Sequence, residues 1–353
     1  MPRAPGKIVI YGAGNCGRDV SRVLRDAGYE IAAFLDARAR QDEKVEGISC
    51  HLPDSTEARR LADSGMAAVV AVFNFTADTG AIQNLLQETG FKNIVSYHAL
   101  HAGFPGNLKS TFWLASRDFW LRHEDDISRG LEIWEDDRSR DIYLDLIELR
   151  MTGNLQLLRA PDTTHQYFPE DIPPLEEPMR LIDGGAYVGD TLAALQKFKL
   201  DEVVAFEPDP ANFAKLCHFA SGHSDAWRNI TIFPCGLDSR TSIQRFSTGN
   251  EAGSNISETG DSVIQVVALD DVVPTFSPTY IKFDIEGFEI AALHGAEKMI
   301  KKHKPRVAIC AYHLPEHLWE VPFLLKQLVP SYRLSLRYHG FNGFDVVAYG
   351  TNP

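Results

Sequence analysis

The segment 180–191 constrains the fold of this 353-residue chain more than any other part of its sequence. A short apolar run ends in Asp183, passes through a turn rich in glycine and enters a helical pattern. A second apolar run follows and ends in another acid, Glu207. Strand, turn, helix and strand in this order form a β-α-β unit. We therefore expect an α/β fold with parallel strands that end in acidic side chains.

The same segment has the composition of a cradle for a nucleoside. Glycines let the backbone approach the ligand, and a carboxylate after the second strand accepts hydrogen bonds from ribose hydroxyls. Glu207 takes that second position and is followed by Pro208. The residues that we assign to this cradle lie in the turn or directly after a strand: Asp183, Gly184, Gly185, Ala186, Gly189, Asp190, Thr191, Glu207 and Pro208.

A second glycine fingerprint lies near the start of the chain. Gly12, Gly14 and Gly17 follow a strand and open a helix, with Asn15 between them and Asp36 after the next strand. This is the context in which G-x-G-x-x-G binds a nucleotide, nucleotide-sugar or dinucleotide at the helix N-terminus. The alternative interpretation is that these glycines only permit close packing of strand and helix.

Carboxylates also follow a strand in the C-terminal half. Asp284 and Glu286 come directly after an apolar run, where open α/β sheets bind ligands, and we predict a catalytic role for both. Glu289 fits better as an acid in the first turn of the next helix. His313, just beyond the following strand, competes as the general base because histidine titrates near neutrality.

The chain divides into three predicted parts. We expect a Rossmann-like nucleotide-binding domain at 1–105, a helical connector at 106–178 and a second parallel sheet at 179–353. Two alternating runs at 332–338 and 345–349 flank a Gly-Phe-Asn-Gly segment and predict a hairpin, so the last strand is expected to be antiparallel. Strands of the second sheet are predicted at 180–183, 202–206, 230–234, 279–284 and 306–311.

The composition of the chain limits the kinds of partner and cellular location that we expect for it. A net charge of −13 argues against a nucleic-acid ligand, which needs a basic surface. The five scattered cysteines fit a reducing compartment, and no apolar run approaches the roughly 20 residues of a membrane helix. With no secretory signal at its start, the chain is predicted to be cytoplasmic. Whether it forms a homo-oligomer stays open.

Several of these runs together resemble the FkbM family of S-adenosylmethionine-dependent methyltransferases. The similar stretches are IDGGAYVGDT (182–191), FEPD (206–209), IKFDIEGFE (281–289) and LHGA (293–296), and the runs AYHLPEHLWE (311–320) and LRYH (336–339) look like one branch of the family. The first domain is similar to the small Rossmann-like domain that precedes sugar acetyltransferases of bacterial glycan pathways.

The resemblance implies a class I methyltransferase sheet and a reaction. The cofactor would be S-adenosylmethionine, with Asp183 near its methionine ammonium, Glu207 at its ribose and the backbone of Gly236 and Leu237 at its adenine. Tyr167 and Phe168 would close over it. The acceptor would be a small-molecule or sugar or glycan hydroxyl, and the first domain would recognise a nucleotide or nucleotide-sugar.

The sequence leaves open a metal-assisted mechanism and two functions other than methyl transfer. A divalent metal held by Asp284, Glu286, His313 and His339 would lower the pKa of the acceptor hydroxyl. The chain would instead be an NAD(P)-dependent oxidoreductase if the N-terminal fingerprint carried the chemistry. A third interpretation is a non-catalytic scaffold with a degenerate methyltransferase fold.

Overall fold

The computed structural model describes residues 6–104, 106–108, 112–173, 177–247, 255–256 and 262–352. The chain forms two compact units by its internal contacts. Unit 1 comprises Met1–Glu124, Ile142–Pro161 and Gly340–Phe344, and unit 2 comprises Asp125–Asp141, Asp162–His339 and Asp345–Pro353. The segment that we predicted as a helical connector therefore contributes residues to both units.

Unit 1 alternates strands and helices, as predicted. Its strands are β1 (Lys7–Tyr11), β2 (Glu30–Leu35), β3 (Lys44–Val45), β4 (Ile48–His51), β5 (Ala67–Val70) and β6 (Ile94–Val95). Its helices are α1 (Asn15–Asp26), α2 (Thr56–Asp63), α3 (Thr79–Thr89), α4 (Tyr97–Gly103) and α5 (Arg117–Arg122). The next two helices are α6 (Glu124–Glu132) and α7 (Asp137–Thr152), and α7 runs from unit 2 into unit 1.

The sheet of unit 1 has the strand order β3-β4-β2-β1-β5-β6 among the described residues, with β3 antiparallel to β4 and the other pairs parallel. The central strand β1 is apolar on both faces. Ile8 and Ile10 pack into one hydrophobic cluster and Val9 and Tyr11 into another. Because successive side chains of a strand point to opposite faces, helices must cover this sheet on both sides.

Unit 2 contains the strands and helices that follow. The strands are β7 (Met179–Gly184), β8 (Leu200–Phe206), β9 (Asn229–Phe233), β10 (Gly236–Leu237), β11 (Ser242–Ser247), β12 (Asn255–Ile256), β13 (Ser262–Val267), β14 (Tyr280–Phe283), β15 (Arg306–Cys310), β16 (Arg333–Tyr338) and β17 (Val346–Thr351). The helices are α8 (Asp190–Leu195), α9 (Pro210–Gly222), α10 (Leu269–Val272), α11 (Glu289–Gly295), α12 (Glu297–His303) and α13 (His317–Leu328).

The main sheet of unit 2 has the order β16-β17-β15-β14-β7-β8-β9 among the described strands. The strands β9, β8, β7, β14 and β15 pair in parallel. β17 is antiparallel to both β15 and β16, which confirms the predicted hairpin. The carboxyl ends of β8, β7, β14 and β15 consequently lie side by side at one edge of the sheet.

The sequence analysis did not anticipate a second sheet in unit 2, with the order β10-β13-β11-β12 in the described part of the chain. β11 and β13 pair antiparallel from Ser242 to Phe246. One face of this ribbon is open to solvent, so Ile243 and Val263 are 67% and 63% exposed. Such a half-exposed strand has a weaker apolar signal than the continuous runs of a parallel sheet.

The glycine turn after β7 packs against the turn after β14. Gly185 has a φ of +75°, and a Cβ added there would lie 1.9 Å from the carbonyl oxygen of Asp284. The N–H groups of Gly185 and Ala186 both donate to the carbonyl of Phe206, at the end of β8. Only glycine satisfies both the left-handed conformation and this close approach.

Replacing Gly185 by alanine should therefore destabilise unit 2 by about 2–4 kcal/mol, since it combines backbone strain with a steric clash. Urea unfolding followed by circular dichroism measures the change. Gly222→Ala is the matched control, because a Cβ at Gly222 meets nothing within 4 Å and that residue ends helix α9. Equal midpoints for the two variants would contradict the packing argument.

Candidate active site

Residues at four strand ends come together at the carboxyl edge of the main sheet of unit 2. Asp183 and Gly184 end β7, Glu207 follows β8 and Asp284 follows β14. His313 comes shortly after β15. Strand pairing places Gly184 beside Phe206 on one side and beside Phe283 on the other. Residues that are far apart in sequence therefore meet at the position where α/β sheets bind ligands.

Asp183 is buried beneath the glycine turn. Its side chain is 0% exposed and lies 3.1 Å from Nζ of Lys282, which is 2% exposed. The Lys282 ammonium also donates to the carbonyl oxygen of Gly185, at 2.7 Å. Burial raises the pKa of Asp183 and the neighbouring ammonium opposes that rise. Asp183 and Lys282 thus form a compensated ion pair that supports the turn from inside.

Lys282 is a site residue that the sequence analysis missed. It interrupts the apolar strand β14, in which all four residues are buried. A lysine is almost never fully buried unless it is paired. That interruption was the available signal, and the acid that pairs with Lys282 lies one strand away on β7.

Glu207 closes the other side of the turn. Its Oε2 accepts from the N–H of Tyr187 at 2.9 Å and its Oε1 accepts from the N–H of Asp209 at 2.8 Å. Burial raises the pKa of Glu207 to about 7, against the opposing effect of these two hydrogen bonds. A carboxylate has about four lone-pair positions, so two remain for a ligand. Tyr187 itself has a φ of +47°.

The remaining cradle residues also lie around this turn. Gly189 has a φ of +94° and precedes α8, whose first two residues are Asp190 and Thr191. A Cβ on Gly184 would lie 2.7 Å from Leu237, and one on Gly236 would lie 3.9 Å from Pro208. The predicted adenine-side residues Gly236 and Leu237 therefore border the turn, together with Ala186, which is fully buried.

Asp284, Glu286 and His313 come together at the ends of β14 and β15. Nε2 of His313 lies 3.4 Å from Oδ1 of Asp284 and 3.8 Å from Oε2 of Glu286. The two carboxylate side chains are 25% and 26% exposed, whereas that of His313 is 2% exposed. Burial raises the pKa of Glu286 to about 7, although His313 counteracts it.

Glu289 has a larger role than the helix-capping acid that we expected. It begins α11 and its Oε1 accepts from the N–H of Ile285 at 2.9 Å. The same carboxylate lies 2.8 Å from Nδ1 of His313 and 3.2 Å from Nδ1 of His317, with all three side chains buried. Burial alone would raise its pKa, but the two histidines hold the pKa of Glu289 well below its usual range.

The charge of His313 follows from these neighbours. Burial lowers its pKa, but Glu289, Glu286 and Asp284 outweigh burial and raise the pKa of His313 to about 10. The surrounding carboxylates therefore favour the protonated form of the imidazole. The role of His313 as a general base stays a prediction.

Tyr167 and Phe168 occupy different surroundings. The Tyr167 hydroxyl donates to Oδ2 of Asp284 at 2.9 Å, which connects the segment before β7 to the carboxylate cluster. Phe168 meets the ring of Phe198 edge-on at 5.5 Å and lies under Nζ of Lys197 at 4.0 Å. Of these two predicted cofactor-covering residues, Tyr167 contacts the predicted catalytic group.

Asp345 is a further carboxylate that the sequence analysis did not select. It precedes β17, has a φ of +51° and interacts electrostatically with Asp284 and His313. Burial, followed by the charge of Asp284, raises its pKa to about 7. Asp345 lies in the predicted hairpin, where an acid resembles an ordinary turn residue, so its sequence position carried no functional signal.

One compact group of side-chain atoms at this site could coordinate a metal ion. Among the described residues, ligand atoms of Asp284, Glu289 and His313 lie within 4.8 Å of one another. The predicted fourth ligand is engaged elsewhere: Nδ1 of His339 lies 2.7 Å from the carbonyl of Asp162, and its Nε2 lies 2.8 Å from the Tyr349 hydroxyl. His339 therefore has a structural environment of its own.

In unit 1 the N-terminal fingerprint forms the turn between β1 and α1. Oδ2 of Asp36 accepts from the N–H of Ala13 at 3.0 Å, so Asp36 ties the glycine loop to the end of β2. A Cβ on Gly17 would lie 1.9 Å from the carbonyl oxygen of Gly12, which is a packing requirement. A Cβ on Gly14 would meet nothing within 4 Å, and no side chain caps α1, which begins at Asn15.

The elevated pKa of Asp345 predicts a pH effect on stability. A carboxyl whose pKa is higher in the folded chain stabilises the fold below its unfolded pKa of about 3.9, and that contribution is lost as the pH rises through about 7. Asp345→Asn should therefore become more stable relative to the parent chain between pH 5 and pH 8, by roughly 1–2 kcal/mol. Urea unfolding at each pH measures this difference.

The exposed Asp225 provides the control for this pH series. Asp225→Asn should leave the pH dependence of the parent chain unchanged. Parallel stability curves for the parent chain and Asp345→Asn would show that the Asp345 carboxyl titrates alike in the folded and unfolded chain.

Comparison with known proteins identifies the class of both parts of the chain. Residues 183–342 match the family model described as a methyltransferase FkbM domain, and residues 7–75 match that of a PglD N-terminal domain. The chain is thus a methyltransferase by its C-terminal part. Residues 183–342 are thus similar to the FkbM methyltransferases, and residues 7–75, which precede them, are similar to a PglD N-terminal domain. No match was found among curated proteins.

Solved structures show the same fold. The chain is similar to a methyltransferase FkbM from Methylobacillus flagellatus, with 23% identity, 98% of this chain and 90% of that chain covered, and a TM-score of 0.80. It also matches fibrillarin of Aeropyrum pernix in complex with S-adenosyl-L-methionine, with 9% identity over 51% of this chain and 70% of that chain, at a TM-score of 0.32. The first likeness supports the fold across both units; the second is too distant to support an argument.

The helices raise one further point about the environment of the chain. Among the described residues, we find no helix long and apolar enough to cross a membrane.

Proposed function

We propose that this protein transfers the methyl group of S-adenosylmethionine to a hydroxyl oxygen of a small molecule, sugar or glycan. The observation that carries the proposal is the juxtaposition of two sites at one sheet edge. A glycine turn with Glu207 beside it adjoins a half-exposed carboxylate pair, Asp284 and Glu286. The FkbM domain supplies the reaction class.

The turn after β7 suits the cofactor. Gly185 and Gly189 are in left-handed conformations that keep the backbone free of side chains on the approach to the ligand. Glu207 retains lone pairs for the ribose hydroxyls. Asp183 is already paired with Lys282. We therefore propose that Asp183 supports the turn from beneath and does not contact the methionine ammonium.

The bound cofactor supplies a methyl group already activated by its sulfonium. The protein must then hold the acceptor oxygen in line with the methyl–sulfur bond and accept its proton. The neighbouring carboxylates raise the pKa of His313, which makes it a poorer base, so we assign proton acceptance to Asp284 or Glu286. Tyr167 and His313 hold Asp284 from two sides and limit the directions in which its oxygens point.

Two features of the proposal concern additional ligands. A divalent cation at Asp284, Glu289 and His313 is the alternative means of promoting deprotonation of the acceptor hydroxyl.

In unit 1, the open space at Gly14 and the uncapped start of α1 favour a nucleotide or nucleotide-sugar ligand over a purely structural glycine loop. Mass spectrometry of small molecules that co-purify with the protein would identify ligands of both units.

The oxidoreductase and scaffold alternatives make different predictions. A substrate domain of a dehydrogenase needs no second nucleoside cradle, whereas unit 2 has one with Glu207 and the glycines in place. An NADH fluorescence titration tests the first alternative. A scaffold would bind neither NADH nor S-adenosylmethionine, and its melting temperature would then be unchanged by either.

Calorimetry with S-adenosylmethionine tests the role of Glu207. Ribose hydroxyls donate to the ionised carboxylate. In the folded chain without cofactor, burial raises the pKa of Glu207 to about 7. Affinity should therefore increase from pH 6 to pH 8, by up to about tenfold, as the carboxylate ionises. Glu207→Gln should bind at least about tenfold more weakly and lose this pH dependence.

Glu297, which is partly exposed and paired with Lys301 away from the site, provides a matched control for this experiment. Glu297→Gln should bind S-adenosylmethionine as the parent chain does. If Glu207→Gln binds with the affinity and pH dependence of the parent chain, the assignment of the cradle is wrong.

Transfer of tritiated methyl groups tests the acceptor side. A panel of free sugars, nucleotide-sugars and glycans, each with and without a blocked hydroxyl, would locate the methylated atom. With the best acceptor, Asp284→Asn should lower kcat by about 10²–10⁴-fold and leave the affinity for S-adenosylmethionine within about threefold. The exposed Asp271→Asn is the control. An unchanged kcat for Asp284→Asn would remove Asp284 from the mechanism.

A further inference from the structure

The amino edge of the main sheet of unit 2 contains a cavity that the proposed reaction does not use. Its volume is about 620 Å³, and it lies between the strands β7, β8 and β9 and the segment 272–277, which follows α10. Small-molecule sites have volumes of roughly 300–1,000 Å³. The cavity is also about twenty times larger than the ~30 Å³ that one water molecule occupies in the liquid. It therefore has room for an organic molecule.

Strand register explains which side chains line this cavity. Arg180 on β7 lies beside Glu202 on β8, which in turn lies beside Asn229 on β9. Neighbours of this kind point to the same face of the sheet, so the three side chains form one row. The four residue steps from Arg180 to the end of β7 span roughly 13 Å. The cavity is therefore separate from the glycine turn, which follows the opposite end of the same strand.

Arg180 is held in place by the segment that covers the cavity and by the strand beside it. Its Nε–H donates to the carbonyl oxygen of Ser277, and its backbone N–H donates to the Thr279 hydroxyl at 2.9 Å. Among the described residues, Nε is the only nitrogen of this guanidinium with a hydrogen-bond partner. Arginine has five N–H donors in a planar fork, so the four on the two Nη atoms remain for a ligand.

The acid beside Arg180 does not neutralise its charge. Oε1 of Glu202 lies 2.7 Å from Nη2 of Arg228, so this carboxylate already has a cationic partner. The effect of Arg180 is also felt along the same edge, where burial and then the charges of Lys302 and Arg180 lower the pKa of His303. Arg180 therefore contributes positive charge to the cavity, although the chain as a whole carries a net charge of −13.

The other groups that line the cavity fit a molecule with several hydroxyls. Asn229 carries an amide, and Thr231 and Thr275 carry hydroxyls, so each of the three both donates and accepts hydrogen bonds. Val273 and Phe276 add apolar surface from the covering segment. A sugar ring has hydroxyls at its edge and C–H groups on its faces, so it can contact both kinds of surface.

We propose that this cavity binds a hydroxylated organic anion, a sugar phosphate or a sugar carboxylate, with its anionic group on the Nη atoms of Arg180. Two parallel N–H donors match two oxygens of either anionic group. The hydroxyls of the ligand would contact Asn229, Thr231 and Thr275. The site is distinct from the proposed methyl-transfer site and does not rest on that function. Failure of either proposal leaves the other intact.

Calorimetry of the full chain at pH 7.5 tests the proposal with four probes: glucose 1-phosphate, glucuronate, glucose and inorganic phosphate. Glucose lacks the charge, so it should bind at least about tenfold more weakly than the better of the two acidic sugars. Inorganic phosphate lacks the hydroxyl and apolar contacts and should bind more weakly than glucose 1-phosphate. The tighter of the two acidic sugars identifies the anionic group as phosphate or carboxylate.

Two variants locate the binding at the cavity. Arg180→Gln removes the charged fork and should weaken binding of the better acidic sugar by at least about tenfold. Because this change also removes the hydrogen bond to Ser277, Asn229→Asp provides an independent test at an exposed position. It keeps the size of the side chain but adds a negative charge, so binding of the acidic sugar should weaken by roughly 3–10-fold.

Exposed residues of the same types in unit 1 provide the controls. Arg60→Gln on α2 and Asn93→Asp before β6 should leave the affinity for the acidic sugar unchanged. Absence of heat with both acidic sugars at concentrations up to about 10 mM would overturn the proposal. Equal affinities for glucose and the acidic sugars would refute the role of Arg180, and parent-like binding by both Arg180→Gln and Asn229→Asp would place the ligand elsewhere. Equal affinities for inorganic phosphate and glucose 1-phosphate would refute the assignment of a sugar.

Discussion

The close approach of the turn after β7 to the turn after β14 is the constraint on which the site depends. Gly185 lies against the carbonyl oxygen of Asp284, with no room for a Cβ. Lys282 reaches from β14 to Asp183 and to the carbonyl of Gly185, so a buried ion pair fastens the same two strands. This contact places the proposed cofactor cradle and the carboxylates of the acceptor side next to each other at one edge of the sheet. A wider separation of the two turns would leave two unconnected sites.

Electrostatic compensation explains the arrangement on the acceptor side. Carboxylates converge there from the turn after β14 and from the residue before β17, and burial together with their mutual repulsion raises the pKa of Glu286 and Asp345 to about 7. His313 faces Asp284 and Glu286 with its Nε2 and Glu289 with its Nδ1. Groups with displaced pKa values that cluster at the carboxyl ends of strands are candidates for chemistry, because catalytic acids and bases need pKa values matched to their task.

The fold was largely predictable because short stretches of sequence indicate most of its strands and turns. The apolar strands β1, β7 and β14, the glycine turns and the C-terminal hairpin are each predicted from a few neighbouring residues, and the structure confirms them. The ribbon of β11 and β13 was missed because one of its faces is exposed, which weakens the apolar pattern. The candidate site was predicted in part: Glu207, Asp284 and His313 follow strands, and the ends of parallel strands meet.

The amino-acid sequence by itself determined the class of fold, the position of the glycine turns and the identity of the acids that follow the strands. Tertiary structure alone decided the charges and partners of these groups. Lys282, Glu289 and Asp345 acquire their roles from residues that are distant in sequence, because pKa values depend on burial and on charges brought near by packing. Asp183 was recognisable as a strand-end acid, but its burial and its ion pair with Lys282 arise only when β7 and β14 pair in the folded chain.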